Sequence, residues 1–149
     1  MSETNITYIN TTLAKDEKII GVAELHWVNY VAPVFILATG LVVLFTYSKI
    51  IGIGLLVWGI ITLLDIMKRE FVITNKRVIS KTGIIAVKTA EIRIPKIESV
   101  CLNQSILGRI FDYSSIGFTG TGSTEAWFVD VQDPVKTKAK FEEIIERYK

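Results

Sequence analysis

The side chains most often used in catalysis are sparse in this chain. It has one histidine, His26, and one cysteine, Cys101. A serine or cysteine nucleophile needs a base beside it, and the surroundings of His26, next to an apolar run, support no such arrangement. One cysteine excludes an intramolecular disulfide and a cysteine-cluster metal site, and no residue pair has zinc-ligand spacing. We therefore predict no enzyme activity, no catalytic residue, no metal and no cofactor.

Two further patterns suggest chemistry but have simpler structural explanations. Gly117, Gly120 and Gly122 superficially suggest a phosphate-binding loop, but no Gly-Lys-Ser/Thr follows them, so they indicate a turn between strands. Asp65 raises the question of ion transport. It lies at the end of an apolar run, three and four residues before Lys68 and Arg69. Because that spacing places the three side chains on one helical face, we predict an ion pair at a membrane boundary.

Two apolar runs dominate the first half of the chain. Residues 30–47 and 50–64 contain no charged side chain, and only Ser48 and Lys49 separate them. Each run approaches the lower length limit for a membrane-spanning helix. A buried hairpin in a soluble core would need more surrounding protein than 149 residues provide. A cleaved signal peptide is disfavoured because the first run begins late and a second follows at once. We predict a transmembrane hairpin over residues 28–67, in which Gly52, Gly54 and Gly59 form a packing surface.

The basic residues around the hairpin predict its orientation. Lys68 and Arg69 follow the second run, whereas the turn between the runs offers only Lys49. Lysine and arginine are enriched on the cytoplasmic side of membrane proteins. We therefore expect a multi-pass protein of the inner (cytoplasmic) membrane with both termini in the cytoplasm.

Residues 68–149 read as strands followed by one helix. Short β-rich runs alternate with turn residues, and Asp133-Pro134 supplies an acidic N-cap and a proline at the first position of a final amphipathic helix. Asn75-Lys76 suits a two-residue hairpin turn. The predicted strands are 71–74, 77–80, 84–94, 97–102, 115–119 and 126–131, with a short helical turn over 105–111 and a loop over 120–124.

A set of residues in this region resembles bacterial pleckstrin-homology (PH) domains, which commonly follow a pair of transmembrane helices. The set is Phe71, Thr74, Asn75, Arg77, Gly83, Ile94-Pro95, Ile97, Val100, Leu107-Gly108-Arg109 and Asp112-Tyr113. The resemblance extends over about residues 15–149 and includes Glu17 and His26-Trp27. It implies a membrane protein of the α+β class. The expected fold is a two-helix hairpin plus a PH-like, partly open β-barrel of about 6–7 antiparallel strands, capped by a C-terminal α-helix.

The predicted strands after the second helix number about six, whereas a PH-like barrel usually has seven. Residues 18–25, before the first helix, are able to supply the missing strand. The chain would then comprise an N-terminal cytoplasmic segment (1–27) that contributes a strand, the hairpin (28–67) and the PH-like domain (68–149).

Three functions are compatible with this organisation. The first is a scaffold that recruits an unidentified protein partner or a second copy of itself through a barrel face or edge strand. The second is a sensor of anionic membrane lipids, and the third is an accessory subunit of a larger membrane transport or stress complex. A net charge of +2 gives no reason to expect nucleic-acid binding. The candidate lipid-headgroup contacts are Trp27, Lys68, Arg69, Lys76, Arg77 and Lys81.

If residues 18–25 complete the sheet, a fragment limited to residues 68–149 lacks an edge strand and exposes apolar surface. We expect this fragment to aggregate when it is expressed alone, as measured by size-exclusion chromatography. A monomeric fragment with a cooperative unfolding transition would contradict the predicted contribution of the N-terminal segment.

Overall fold

A computed structural model of the protein describes residues 7–122 and 124–149. These residues form two compact units. The helical unit contains residues 26–69 together with the loop 82–87. The sheet unit contains the described residues up to Leu25, residues 70–81 and the described residues of 88–149. The first six residues, and Ser123 within the predicted loop 120–124, lie outside the described part of the chain.

The helices and strands occur in the predicted order, and a short additional helix precedes them. In chain order they are α1 (Thr7–Thr12), β1 (Ile19–Val22), α2 (Val28–Thr46), α3 (Lys49–Met67), β2 (Glu70–Thr74), β3 (Arg77–Thr82), β4 (Lys88–Arg93), a 3₁₀ turn (Ile94–Lys96), β5 (Ile97–Asn103), α4 (Ile106–Phe111), β6 (Tyr113–Gly120), β7 (Thr124–Gln132) and α5 (Pro134–Tyr148).

The helical unit is built around the two apolar helices. α2 and α3 are each 19 residues long, with mean hydropathies of 2.1 and 2.3, so both are long and apolar enough to cross a membrane. Gly52 and Gly59 lie against α2, because a Cβ atom on either would approach a leucine of α2 to within 2.7 Å. Gly54 faces open space, so its predicted place in the packing surface is wrong. Gly40 of α2 packs against Leu55 and Leu56 instead.

The sheet unit contains two antiparallel sheets. One has the strand order β1-β2-β3-β4 and the other has β5-β6-β7. β1 lies beside β2, with Ile19 opposite Thr74 and Val22 opposite Val72. Hydrogen bonds between described residues therefore divide the seven strands into two sheets and form no closed barrel. The sheets are joined locally, since the Ser80 hydroxyl donates to the Trp127 carbonyl at 2.7 Å.

An aromatic cluster fills the core between the sheets and α5. Phe71, Phe118, Phe128 and Phe141 are each no more than 1% exposed. The rings of Phe71 and Phe128 stack at 5.1 Å, and Phe128 meets Phe141 of α5 edge-on at 5.6 Å. Such pairs stabilise a core beyond their buried area. The helix is held on the sheets because its apolar face contributes Phe141 to this cluster.

Gly21 of β1 is required by the same packing. A Cβ atom there would lie 2.7 Å from Ile73 and 3.0 Å from the ring of Phe141. The strand that precedes the helical hairpin in sequence is therefore part of the core completed by the last helix.

The structure corrects two further local predictions, in addition to that for Gly54. The strand predicted over 84–94 is limited to β4, and residues 84–87 form an exposed loop after Gly83, which has a φ of +89°. The predicted strand extended over these residues the alternation that is clear only at Ala90, Ile92 and Ile94. Asp133 is not a side-chain N-cap: it has a left-handed backbone and its side chain makes no capping hydrogen bond. Pro134, which fixes φ in the first turn, begins α5 as predicted.

Candidate functional site

The turn between β2 and β3 is organised by two polar side chains. The Thr74 hydroxyl accepts hydrogen bonds from the backbone amides of Lys76 and Arg77 at 3.1 and 2.9 Å. The Asn75 side chain accepts from the Lys18 amide at 2.9 Å and donates to the Asp16 carbonyl at 3.1 Å. The Thr-Asn-x-Arg sequence therefore shapes a hairpin turn and holds the segment that precedes β1.

Arg77 connects the same segment to the sheet through its guanidinium group. Its Nε and Nη2 atoms donate to the two carboxylate oxygens of Glu17, each at 2.9 Å. Nη1 donates to Glu91 at 2.6 Å, and Nη2 also donates to the Thr12 carbonyl at 2.9 Å. The Glu17 side chain is 1% exposed, so the bidentate pair lies largely out of water. Such charge-assisted pairs are stronger than neutral hydrogen bonds.

The environment of this ion pair shifts both of its pKa values. Burial alone would raise the pKa of Glu17, but hydrogen bonds from Arg77, the Ala14 amide and Thr74 outweigh it and lower that pKa below its ordinary value. The hydrogen bond to Glu17 raises the pKa of Arg77, against a smaller opposing effect of burial, and the charge of Glu91 adds to the rise. Both groups are therefore held in their charged forms.

A groove of about 450 Å³ opens beside this ion pair. Its lining combines charged and polar side chains with Ala14, Pro95 and the ring of Tyr148 from the end of α5. The lining residues are Ala14, Glu17, Asn75, Lys76, Arg77, Arg93, Pro95 and Tyr148. Because Arg77 is already paired with two carboxylates, Lys76 and Arg93 are the cations on which an anionic ligand would depend.

The structure distributes the candidate lipid contacts over both units. Trp27, Lys68 and Arg69 belong to the helical unit, and Arg69 pairs with Asp65 at 3.1 Å, as the sequence spacing predicted. Lys68 is exposed and makes no part of that pair.

The other three candidates belong to the sheet unit and are not clustered. Lys81 pairs with Glu70 at 3.6 Å near the end of β3, whereas Lys76 and Arg77 lie at its beginning. Lys76 donates to the Lys15 carbonyl at 2.8 Å. Within the sheet unit, Lys81 therefore lies at the opposite end of β3 from Lys76 and Arg77. Headgroup contact by any of the six candidates stays a prediction.

Several residues of the groove were not singled out from the sequence. Arg93 and Tyr148 line the groove, and Glu91 pairs with Arg77 beside it. The three residues are separated in sequence, so local sequence patterns do not link them. A charged residue on an alternating strand normally indicates a solvated face. Glu91 and Arg93 are on such a face, so the pattern carried no signal for a groove.

The residues with catalytic potential lie in different units. His26 is buried in the helical unit beside Trp27, with ring centroids 5.3 Å apart, and its Nδ1 atom accepts from the Val28 amide at 3.3 Å. Cys101 is exposed on β5 of the sheet unit. Among the described residues, no group of three histidine, cysteine, aspartate or glutamate side chains is placed to hold a metal ion.

The strand β5 offers a different kind of surface. It is seven residues long and, among the strands of the described residues, it pairs only with β6. Most of its side chains are exposed, among them Glu98, Ser99 and Cys101. An edge strand presents backbone donors and acceptors that another chain can pair with.

Comparison with known proteins gives one family. The sequence model of the family described as Bacterial PH domain matches residues 19–149, which is most of the chain. No curated protein and no solved structure matches the chain.

The ion pair generates a prediction about stability. Replacing Glu17→Gln removes the buried negative charge and weakens the bidentate contact, which should cost about 2 kcal/mol. For a chain of this size we expect the melting temperature in detergent at pH 7 to fall by about 4–8 °C, measured by near-UV circular dichroism.

Glu91→Gln is the matched control, because Glu91 also pairs with Arg77 but is 42% exposed. An exposed pair contributes about 0–1 kcal/mol, so its loss should lower the melting temperature much less.

Folding lowers the pKa of Glu17, so the stabilisation that this side chain gives to the folded state also depends on pH. The stabilisation is complete above the pKa of Glu17 in the unfolded chain, about 4.3, and it is lost as the pH falls through the pKa in the folded protein. The difference in melting temperature between the wild type and Glu17→Gln should therefore shrink on acidification. Equal losses of melting temperature in Glu17→Gln and Glu91→Gln at pH 7 would contradict the structural role of the buried pair.

Proposed function

The chain belongs to the bacterial PH domain family, and on that premise we propose that it is a membrane-anchored binding and scaffold module without catalytic activity. Its PH-like domain would assemble proteins at the cytoplasmic face of the inner membrane, through a protein partner or a second copy of the chain. PH-like domains are generally binding modules rather than enzymes.

The two apolar helices support the anchoring part of this proposal. α2 and α3 each have the length and composition of a membrane span. Lys68 follows α3 and is exposed, and Arg69 lies beside it, so the positive charge favours a cytoplasmic location for this end. The chain would then be a two-span protein of the inner membrane with both termini in the cytoplasm, and Trp27 would lie at the interface.

The pairing of β1 with β2 supports a discontinuous domain. β1 precedes the hairpin and β2 follows it, yet Ile19 lies opposite Thr74 in one sheet. We propose that the segment 1–27 and residues 68–149 fold together as one PH-like, partly open barrel, with the hairpin 28–67 inserted between two of its strands.

The free side of β5 is the observation that carries the scaffold function. A peptide added to an edge strand gains main-chain hydrogen bonds along its length, and its alternate side chains give specificity. Tethering two such domains to one membrane raises their effective concentration, so a modest edge contact is sufficient for assembly. The mixture of polar and half-buried side chains on β5, including Val100 and Leu102, fits a reversible contact.

An anionic-lipid sensor is the second candidate, and the groove beside Arg77 favours it. Lys76 and Arg93 line that groove, and neither forms an ion pair with a carboxylate among the described residues. Each basic residue near an anionic surface contributes about 1 kcal/mol of attraction. Phosphate-bearing headgroups would then bind in a salt-dependent manner. A subunit role in a larger membrane transport or stress complex is a special case of the scaffold function.

The native mass of the gently solubilised full-length protein, with identification of what remains bound, tests the proposal. We expect a defined homo-oligomer or one recurring protein partner that persists at high salt. Ser99→Lys places a charge on β5 and should dissociate the assembly. Glu146→Lys, on the exposed side of α5, is the control and should leave it intact. A monomer that retains only phospholipid, lost on raising the salt, would contradict the scaffold and support the lipid sensor.

A further inference from the structure

Along the direction of its strands, the sheet unit has two ends. Both chain segments that connect it to the hairpin leave from the same end. β2 begins at Glu70, three residues after α3 ends at Met67. On the other connection, Leu25 pairs with Val131 near the end of β7, and α2 begins three residues later. We call this the helix-proximal end. Each connection advances three residues, which span at most about 10–11 Å when fully extended.

Two connecting segments of the sheet unit's strands emerge at this end. β3 runs antiparallel to β2 with Lys81 opposite Glu70, so the loop 83–87 begins there. β5 and β6 meet at Asn103 and Ser115, and Tyr113 lies opposite Gln132, so α4 is displayed at the same end. The loop 83–87 is moreover grouped with the two apolar helices in the helical unit.

The exposed apolar side chains of the described chain outside the helical hairpin are concentrated on these two segments. Ile85 is 85% exposed and Ile106 is 82% exposed, values far above those of core residues. The full set on the two segments is Ile84, Ile85, Val87, Ile106, Leu107, Ile110 and Phe111. Among the described residues, Tyr148 is the large exposed apolar residue near the opposite end, where the turns are formed by residues such as Asn75, Lys76 and Thr121.

Local structure holds α4 in place without burying these side chains. The Ser105 hydroxyl accepts from the Gly108 amide at 3.0 Å, and Asp112 ends the helix in a left-handed conformation. The Gln104 side chain donates to the Gly108 carbonyl at 3.1 Å. The helix is therefore fixed by polar contacts on its inner side, while Ile106 and Ile110 project outward. Exposed apolar groups held in this way mark an interaction surface.

From this segregation we propose that the loop 83–87 and α4 insert their apolar side chains into the interfacial layer of the bilayer that the hairpin spans. The inference rests on the proposed membrane anchoring. Lipid is the occupant favoured by the short connections, because this end cannot move far from the membrane surface. Amphipathic segments reach about 5–10 Å into the headgroup and acyl boundary, which is comparable with the reach of the connections. Lys88 and Arg109 beside the apolar residues are able to meet phosphates.

Insertion of α4 would orient the PH-like domain on the membrane. The turn Asn75-Lys76 and the groove beside Arg77 lie at the opposite end of β3 from Lys81, and therefore at the opposite end of the sheet unit from α4. They would face the cytoplasm. Contact of the domain with the membrane would then depend on apolar insertion and would persist at high salt, in contrast to attraction between basic residues and anionic lipids.

Site-specific fluorescence in proteoliposomes tests the proposal on the full-length chain. Cys101→Ser removes the native thiol, and Ile85→Cys or Ile110→Cys places a single environment-sensitive dye on each segment. Thr121→Cys, in an exposed turn at the opposite end, is the matched control. We expect dyes at positions 85 and 110 to be quenched by lipid-attached nitroxides, with iodide quenching several-fold weaker than at position 121, at both low and high salt.

Iodide access at either position 85 or 110 equal to that at position 121 would overturn the proposal. So would protection from iodide without quenching by lipid nitroxides, which would show a protein contact in place of lipid. Flotation with the vesicles after alkaline washing separates this result from the anchoring itself. A chain that fails to float contradicts the proposed membrane anchor, whereas a chain that floats with water-exposed dyes contradicts insertion alone.

Discussion

The ion pair between Glu17 and Arg77 is the interaction on which the organisation of the sheet unit depends. Glu17 precedes the hairpin and Arg77 follows it, 60 residues later. A buried carboxylate without a partner is strongly unfavourable, so the burial of Glu17 favours the placement of the N-terminal segment in which Arg77 meets it. Thr74 and Asn75 also form hydrogen bonds with this segment, to Glu17 and Lys18, and these bonds help to fix its position beside β2. The chain is thereby brought back beside its own N-terminal strand after passing through α2 and α3.

This closure explains why the domain can carry a hairpin insertion. β1 and β2 are neighbours in the sheet although two helices separate them in sequence, and Gly21 packs against both Ile73 and Phe141. The core then contains residues from before and after the hairpin. In the proposed membrane-anchored form, both connections are short, and the sheet unit has one end tied to the bilayer and the other free to meet partners.

Much of this fold follows from local sequence signals. The uncharged runs predicted both helices, and the Asn75-Lys76 turn and Pro134 marked a hairpin and the start of α5 as the structure has them. The resemblance to bacterial PH domains is confirmed by the family match over residues 19–149. The division into two sheets was not predicted, because it depends on long-range hydrogen bonding that alternation along one strand does not encode.

The candidate sites were harder to predict. The lipid-headgroup contact predicted for Arg77 stays a prediction, whereas the pairing of its guanidinium with Glu17 and Glu91 was not predicted. Pairing over such sequence distances has no periodic signature. Ile84 and Ile85 were assigned to a strand, since the alternation of the following residues was extended over them, but the strand begins at Lys88. Only the register of β3 against β2 shows where this loop begins.

The central claim is that segments on both sides of the hairpin form one domain on one side of the membrane. Labelling with a membrane-impermeant maleimide tests it directly, with Lys15→Cys in a Cys101→Ser background compared with the native Cys101. The account predicts that both positions react in inside-out membrane vesicles and that both are protected in intact cells. Reaction of the two positions from opposite sides of the membrane would contradict it.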